Sequence, residues 1–214
     1  MRKRFRNQPL LEHMNEHAAI YVFVMILFFM GILFGAIVVN SLSFSQKEDL
    51  FYYLNEFFGQ VSDGKVAASE DLFRLSFLHN AKYLGLMWML GISIIGLPII
   101  LILLFLKGLV VGFSVGFLVH QMGWKGFMLS FATVLPQNLF IIPLFIFMSA
   151  VAVGFSLQLI KKIVQRPSYS ISFFPLFVKY VFCLIIAFVG ITLASSIEAY
   201  LSPALMKAVI SSLN

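Results

Sequence analysis

The sequence predicts an all-α protein that crosses a membrane several times. Two observations concern composition: 61% of the residues are hydrophobic and only 11% are charged, and the mean hydropathy is +0.98. These values lie well outside the range of soluble domains. The third observation is that apolar residues fall into runs close to the ~20 residues that a helix needs to span a bilayer. We expect one integral membrane domain, residues 1–214, with about five transmembrane helices.

The basic residues indicate orientation rather than a nucleic-acid partner. The formal net charge is +6, but the lysines and arginines flank apolar runs. Basic residues beside spans are retained in the cytoplasm. We therefore expect no nucleic-acid binding and a cytoplasmic N-terminus, residues 1–17, which begins Met1-Arg2-Lys3-Arg4-Phe5-Arg6. The single cysteine, Cys183, can form no intrachain disulfide.

Residues 18–40 are predicted to form the first span. The run is longer than the ~7–15-residue core of a cleaved signal peptide, so we interpret it as an uncleaved signal anchor. Gly31 and Gly35 form a G-x-x-x-G pair, which lets another helix approach closely. That second helix belongs either to the same chain or to a partner protein.

Residues 41–81 form a net acidic segment that is predicted to lie outside the cell. Ser45 and Glu48 have the spacing of a capping box, in which each side chain satisfies a backbone donor at a helix start. Apolar residues then recur at helical spacing and make one face aromatic. That face covers the membrane surface or the bundle, or it docks a partner; the docking candidates are Leu50, Tyr53, Leu54, Phe57 and Phe58. A second helix is expected to begin at Ser69, followed by two acids that suit the positive end of its dipole.

The next two apolar runs are predicted to be the second and third spans. Residues 83–106 contain Pro98, which predicts a kink, and Lys107 is placed in the cytoplasm directly after them. Residues 108–122 are short for a crossing and need local thinning of the bilayer. Small residues at intervals of four suit tight helix packing; they are Gly108, Gly112 and Gly116. Residues 126–134 are predicted to form a short interfacial helix.

Residues 126–160 carry no charge, yet they are too long for one straight span. At ~1.5 Å per residue the helix would be ~52 Å long, against a ~30 Å hydrocarbon core. Proline removes a backbone donor and clashes with the preceding turn, so we predict a helix break before a span over residues 137–160. The break is formed by Pro136, Gln137, Asn138 and Pro143. Gln137 and Asn138 either hydrogen-bond the backbone groups that Pro136 frees or line a path for a solute.

The positions of the charged residues indicate how the rest of the chain is divided into a loop, a span and a tail. Residues 161–175 are predicted to be a cytoplasmic loop, residues 176–198 the fifth span and residues 199–214 an extracytoplasmic tail. This arrangement leaves basic clusters only in the cytoplasm. In the competing topology residues 108–134 form a re-entrant hairpin, and the basic cluster of the following loop ends outside. The charge distribution favours five crossings.

Familiar motifs of catalysis and ligand binding are missing from the sequence. No Asp or Glu falls within the predicted apolar runs, the last of which covers about Leu176–Ser195, although proton- or cation-coupled transporters usually carry an ionisable residue there. The sequence has no nucleotide-binding loop, zinc-protease motif or nucleophile elbow. His13 and His17 have the spacing of a helical ligand pair but lack supporting cysteines. We therefore expect no catalytic residue, no metal site, no cofactor and no enzymatic activity.

The order of the segments is similar to that of a known family of membrane proteins. A basic N-terminus, one span, an acidic outer loop and four further spans occur in 214 residues. The match runs from Leu97-Pro98 through Lys107-Gly108-x-x-x-Gly112-Phe113 to Pro136, and on these features the chain resembles the stage II sporulation protein M family. The wider superfamily often shows P-H-G-x-x-E-x-P at this break. Pro136 and Pro143 keep that spacing, but the histidine, glycine and glutamate are replaced, in order, by Gln137, Asn138 and Ile141. These replacements argue against an ionisable function of the motif.

The resemblance implies a non-enzymatic component of the cell membrane that serves engulfment of the forespore during sporulation. In that family the protein acts with two membrane-anchored peptidoglycan-degrading proteins, stage II sporulation proteins D and P, and holds them at the septal membrane. The outer loop would be the surface for these partners. The alternative is a permease-like transporter subunit, with a path lined by the short third span and the Pro136 break. A cavity that reaches Gln137 and Asn138 would favour transport, and a dry, packed break would favour a scaffold.

Overall fold

The structure, a computed structural model, describes residues 18–62, 68–164 and 173–213, and all the elements within these ranges are α-helices. They are α1 (Ala18–Ser41), α2 (Phe44–Ser62), α3 (Ser69–Gly91), α4 (Gly96–Thr133), α5 (Leu135–Val164) and α6 (Phe173–Leu213). Helices α1, α4, α5 and α6 are long and apolar enough to cross a membrane. The prediction of an all-α, multi-pass membrane protein is confirmed, with four candidate spans in the described ranges. The predicted cytoplasmic segment with His13 and His17 lies outside these ranges.

Helix α1 is apolar on all sides but turns only one stripe toward the rest of the protein. The buried stripe consists of Tyr21, Val24, Phe28, Gly31, Gly35 and Val39. Side chains on the other faces stay exposed, such as Phe29 and Leu33. Exposed apolar side chains on a helix that is apolar all round suit lipid rather than water. We therefore place α1 at the edge of the bundle, against the bilayer.

Helices α1 and α4 run parallel, and their backbones approach each other closely. A Cβ atom added to Gly35 would overlap the carbonyl oxygen of Leu109, and one added to Gly112 would overlap that of Ile32. The remaining glycines of the two helices that face each other in this way are Gly31, Gly108 and Gly116. Since α4 covers the G-x-x-x-G face of α1, that face has no room for a helix of a partner protein.

Helix α2 begins with a capping box formed two residues earlier than predicted. The backbone N–H of Ser43 donates to Gln46 Oε1 (3.0 Å), and the backbone N–H of Gln46 donates to Ser43 Oγ (3.4 Å). Glutamine at the third helical position closes this box as well as glutamate does. The predicted pair, Ser45 and Glu48, therefore lies inside the helix.

The chain turns between α3 and α4 at residues 92–95, and not after residue 106 as predicted. The N–H of Gly96 donates to Ser93 O at 3.2 Å across this turn. Pro98 lies in the first turn of α4, where a helix has no partner for the N–H that proline lacks. It therefore belongs to a helix start, and the predicted kink within a span is not present.

Helix α4 continues through Lys107 and Gly108, where the sequence predicted a loop between two spans. It changes direction only at Gly123, whose φ of 56° is the one positive value among the described residues. Glycine adopts this conformation without the steric cost that a Cβ atom imposes. The predicted helix 108–122 is therefore the second half of a longer helix that begins at Gly96.

Beyond Gly123, residues 124–133 run back along α4, and we call them the return segment. A Cβ atom added to Gly126 would overlap the carbonyl oxygen of Leu118, which shows how closely the two halves pack. The predicted interfacial helix, residues 126–134, corresponds to this segment. It lies against α4 because Gly126 allows the contact.

The predicted break at Pro136 is a one-residue interruption between α4 and α5. Val134 keeps helical dihedral angles (φ −92°, ψ −35°), and its N–H donates to Ser130 O at 2.8 Å. Asn138 donates two hydrogen bonds to Val134 O, one from its backbone N–H (3.2 Å) and one from Nδ2 (2.7 Å). Asn138 thus supports the backbone beside the proline. Pro143 lies inside α5.

Helix α6 continues past residue 198, where the fifth span was predicted to end. It includes Pro203, and its apolar part extends to Leu205. Ala199 and Ser202 remain buried, with 1% and 3% exposure, so packing holds this part of the helix to the bundle. The predicted tail, residues 199–214, is therefore a helical extension over its described residues.

The bundle has two ends, which we name by helix α1. At the first end α1 begins, and the α3–α4 turn lies there because Ser156 Oγ of α5 donates to Ser93 O at 3.3 Å. At the second end α1 stops, and Lys47 Nζ lies 3.3 Å from His120 Nε2 of α4. Helix α5 runs toward the first end and finishes there with Lys161 and Lys162. These lysines thus share an end of the bundle with the start of α1.

An aromatic stack joins α3, α5 and α6 near the first end. The ring of Tyr180 lies 5.3 Å from that of Trp88 and 4.2 Å from that of Phe155, both in stacked geometry. Tyr180 Oη donates to Trp88 O at 2.7 Å, and Trp88 Nε1 donates to Tyr180 O at 3.3 Å. The two side chains therefore tie α3 to α6.

Replacing Tyr180 by phenylalanine is expected to lower the free energy of unfolding by about 1 kcal/mol, because one hydrogen bond is lost while the stack remains. Unfolding in detergent micelles measures the change. Tyr200→Phe serves as the control, since Tyr200 is 68% exposed on the same helix. Equal stability of the two variants would contradict the structural role of the Tyr180 hydroxyl.

Candidate functional site

A cavity of about 800 Å³ lies in the half of the bundle nearer the second end, beneath α2. Residues of α2, α3, α4 and α6 line it, together with Val134 and Asn138 at the α4–α5 junction. Its polar and charged lining residues are Gln60, Ser76, His79, Asn80, Lys107, Ser114, Asn138, Glu198 and Ser202. Such a concentration of polar groups in a chain of apolar helices makes this cavity the candidate functional site.

Lys107 brings a positive charge into the middle of a candidate span. At 1.5 Å per residue it lies ~16 Å along α4 from Gly96, about half the thickness of a hydrocarbon core. Its Nζ donates to Asn80 Oδ1 at 3.3 Å and lies 4.9 Å from the centre of the Phe145 ring and 5.9 Å from that of Tyr83. The faces of these two rings attract the ammonium group, but they carry no negative charge that would neutralise it.

Glu198 of α6 brings the opposite charge to the same cavity. Ser76 Oγ is hydrogen-bonded to Glu198 Oε2 and to Ser195 Oγ, and Asn80 Nδ2 donates to Ser76 O at 3.0 Å. A polar chain thus runs from Glu198 through Ser76 and Asn80 to Lys107. The two charges attract each other, but no direct hydrogen bond or ion pair between them is present in the described part of the chain.

Two further polar side chains complete the electrostatics of the cavity. Ser202 is 3% exposed, and its Oγ is one of two buried side-chain oxygen atoms without a hydrogen-bond partner in the described ranges. Burial, and then the charges of Lys107 and Lys82, lower the pKa of His79 on α3. His79 is therefore mainly neutral at pH 7, and Lys107 and Glu198 supply the charges of the cavity wall.

The cavity is closed toward the first end by a packed apolar core. On the side of Lys107 that faces the first end lies one cluster of side chains that are at most 1% exposed: Met87, Leu104, Ile141 and Phe145. A second cluster around Ile100, Met148 and Ile191 fills the space beside it. In the part of the chain that the structure describes, this core separates the cavity from the half of the bundle nearer the first end.

An apolar groove of about 490 Å³ adjoins the cavity between α4, the return segment and α5. The groove and the cavity share Val111, Val134 and Asn138. The other groove residues are Val115, Phe127, Ser130, Phe131, Leu139, Ile142 and Pro143. The polar cavity thus continues into an almost wholly apolar space, which the fold-back at Gly123 creates.

The structure distributes the sequence-predicted site residues over three places. The five packing glycines lie between α1 and α4, away from the cavity. Asn138 and Pro143 line the groove, Pro136 is buried, and the side chain of Gln137 is not among those described. On α2, Leu50, Tyr53 and Phe57 are exposed, whereas Leu54 and Phe58 are half-buried toward the bundle. Phe57 also lines the cavity.

Sequence reasoning missed the two charges of the cavity. Lys107 was assigned to a loop because it follows an apolar run, and Glu198 was assigned to the edge of the last span. The structure places Glu198 within the apolar stretch Phe174–Leu205, so this acid belongs to a candidate span that is longer than the apolar run predicted from the sequence. The sequence did contain one indication of the site: the apolar helical pattern continues on both sides of Lys107. An ionisable residue inside a span marks a functional site by default.

No group of three or more His, Cys, Asp or Glu side chains in the described residues could hold a metal ion. The cavity wall instead offers one cation, one anion, a buried hydroxyl and amide groups.

Comparison with known proteins gives one match. The curated proteins and the solved structures include none that matches the chain significantly. The model of the family described as stage II sporulation protein M matches residues 24–203, which include all the candidate spans except a few terminal residues. The order of segments and the motif spacing around Pro136 had indicated the same family. The chain therefore belongs to the stage II sporulation protein M family, whose members are sporulation-related membrane proteins.

Proposed function

We propose that the protein is a non-enzymatic membrane scaffold that recruits peptidoglycan-degrading enzymes to the septal membrane during engulfment. Its partners would be stage II sporulation proteins D and P. Family membership supports the link to sporulation. The observation that carries the scaffold role is the free aromatic face of α2.

Helix α2 has one face on the bundle and one face toward the solvent. Val61 is 3% exposed on the inner face, and Phe51, Leu54 and Phe58 are half-buried there. On the outer face, Tyr52 and Tyr53 are 66% and 67% exposed. Three exposed acids share this helix: Glu48, Asp49 and Glu56. Large aromatic residues dominate the energetics of protein interfaces, so this face suits a partner with an apolar and basic surface.

The pair Tyr52→Ala and Tyr53→Ala tests the proposal without removing α2 from the bundle. We expect this variant to lose most of its co-purification with the D and P proteins and to fail to restore engulfment in a sporulating strain that lacks its own copy. Truncation of central interface aromatics commonly costs ~2 kcal/mol or more each, so the loss of affinity should exceed tenfold. Co-purification from detergent extracts and fluorescence imaging of the membranes measure the two effects.

Tyr200→Ala is the matched control, because Tyr200 is equally exposed but lies on α6. It should bind both partners and restore engulfment. Full recruitment by the Tyr52→Ala, Tyr53→Ala variant, at normal abundance in the membrane, would show that α2 is not the docking surface.

A permease-like subunit is the second candidate, since the cavity does reach Asn138. The packed core below Lys107 argues for a pocket closed at one side. A cysteine placed at Asn138, in a chain whose Cys183 is changed to serine, distinguishes the two. Labelling by a membrane-impermeant maleimide from both sides would support a path; labelling from one side at most supports the pocket.

A further inference from the structure

The cavity contains two opposite charges that the protein itself leaves incompletely satisfied. The ammonium group of Lys107 has three N–H donors, and among the described residues its one hydrogen-bond acceptor is Asn80 Oδ1. Glu198 accepts a hydrogen bond from Ser76. The two opposite charges lie in one low-dielectric cavity and do not contact each other directly. A ligand that has both a negative and a positive group can therefore pair with each of them.

Ser202 supplies a third, independent indication of a ligand. Ser202 is only 3% exposed, its hydroxyl has no partner among the described residues, and the residue lines the same cavity. An unsatisfied buried hydroxyl costs ~1–3 kcal/mol. A ligand oxygen that accepts its hydrogen bond would remove this cost.

The apolar groove indicates what the rest of the ligand is like. It shares Val111, Val134 and Asn138 with the polar cavity, so one molecule can occupy both. The cavity also has apolar lining residues that face outward, since Leu75 is 71% exposed and Val110 is 59% exposed. A polar cavity that continues into an apolar groove between membrane helices fits an amphiphile that enters from the bilayer.

The charges select the headgroup. The cavity wall holds one cation and one anion, so a ligand with a single net charge would leave one protein charge without compensation, which is costly in a low-dielectric site. A headgroup with a phosphate and an ammonium group balances both. We propose that the cavity and groove bind a zwitterionic phospholipid, with its phosphate near Lys107 and Ser202, its ammonium near Glu198 and an acyl chain in the groove.

Native mass spectrometry of the full chain in detergent tests this binding with three probes. These are dioleoyl phosphatidylethanolamine, dioleoyl phosphatidylglycerol and glycerophosphoethanolamine, which has the headgroup without acyl chains. We expect one molecule of the zwitterionic lipid to bind at least tenfold more tightly than either other probe. Equal binding of the two lipids would overturn the headgroup assignment, and equal binding of glycerophosphoethanolamine would overturn the role of the groove.

The variant Ser202→Ala tests the site itself, because it removes the hydroxyl without adding bulk. Affinity for phosphatidylethanolamine should fall about tenfold, as for a hydrogen bond to a charged group. Ser196→Ala is the control: its hydroxyl lies on the same helix but donates to Thr192 O at 2.9 Å and does not line the cavity. Identical affinity of the two variants would show that the lipid binds elsewhere, as a surface lipid only.

Discussion

Replacing Gly112 by valine is expected to lower the free energy of unfolding by about 3 kcal/mol or more, through overpacking against backbone that has no room to move. A Cβ atom at this position would overlap the carbonyl oxygen of Ile32, with the neighbouring carbonyl carbon at 2.6 Å. Both atoms belong to the backbone of α1, so relief requires the two helices to separate. Unfolding in dodecyl sulfate, followed by circular dichroism, measures the change.

Gly85→Ala provides the matched control, since Gly85 also lies inside a helix but a Cβ atom there would meet nothing within 4 Å. This variant should be unchanged or more stable by ~0.5–1 kcal/mol, because alanine favours the helix. If Gly112→Val were as stable as Gly85→Ala, α1 and α4 would not be in backbone contact.

Removal of one cavity charge is expected to be the other large effect. Lys107→Met keeps most of the side-chain volume but leaves Glu198 without its cation, which should cost about 3 kcal/mol of stability. Glu198→Gln removes the partner charge, and we expect at least half of the lost stability to return in the double variant. A double-mutant cycle with unfolding in detergent gives the coupling energy, and neighbouring charges of this kind couple by ~0.5–3 kcal/mol.

Lys179→Met controls for the loss of a positive charge in general, because Lys179 is exposed on α6. Its effect should remain within ~0.5 kcal/mol. Strictly additive effects of Lys107→Met and Glu198→Gln would mean that the two charges are compensated separately.

The sequence was a good guide wherever one local rule decides the structure. The apolar runs identified the helices that can span a membrane, and glycines at intervals of four marked the surface of α4 that meets α1. The start of α3 at Ser69 was predicted, and Glu70 and Asp71 lie in its first turn as expected, although the N-cap is Ala68 and no side chain caps the helix. These features depend on residues that are near each other in the chain, so composition and spacing contain the information.

The candidate site depends on residues that are far apart, which is why sequence reasoning did not find it. Lys107 looks like the end of a span until Glu198, Asn80 and Ser76 are known to surround it. The packing of the return segment is equally hidden. A helix boundary near Gly123 was predicted, and a hairpin over residues 108–134 was one alternative, but nothing in the spacing shows that Gly126 packs against Leu118 of α4. Both features arise from tertiary packing, which overrides the local signals that Lys107-Gly108 and Pro98 give.

The charges of the cavity also have a consequence for biosynthesis. Ribosomes release α4 into the membrane long before α6 is made, so Lys107 enters the bilayer while its carboxylate partner is still untranslated. Asn80 and the aromatic ring of Tyr83 are already present and can shelter the ammonium group in the meantime. The last helix then completes electroneutrality, and nascent chains that stop before Glu198 are expected to be recognised and degraded by membrane quality control.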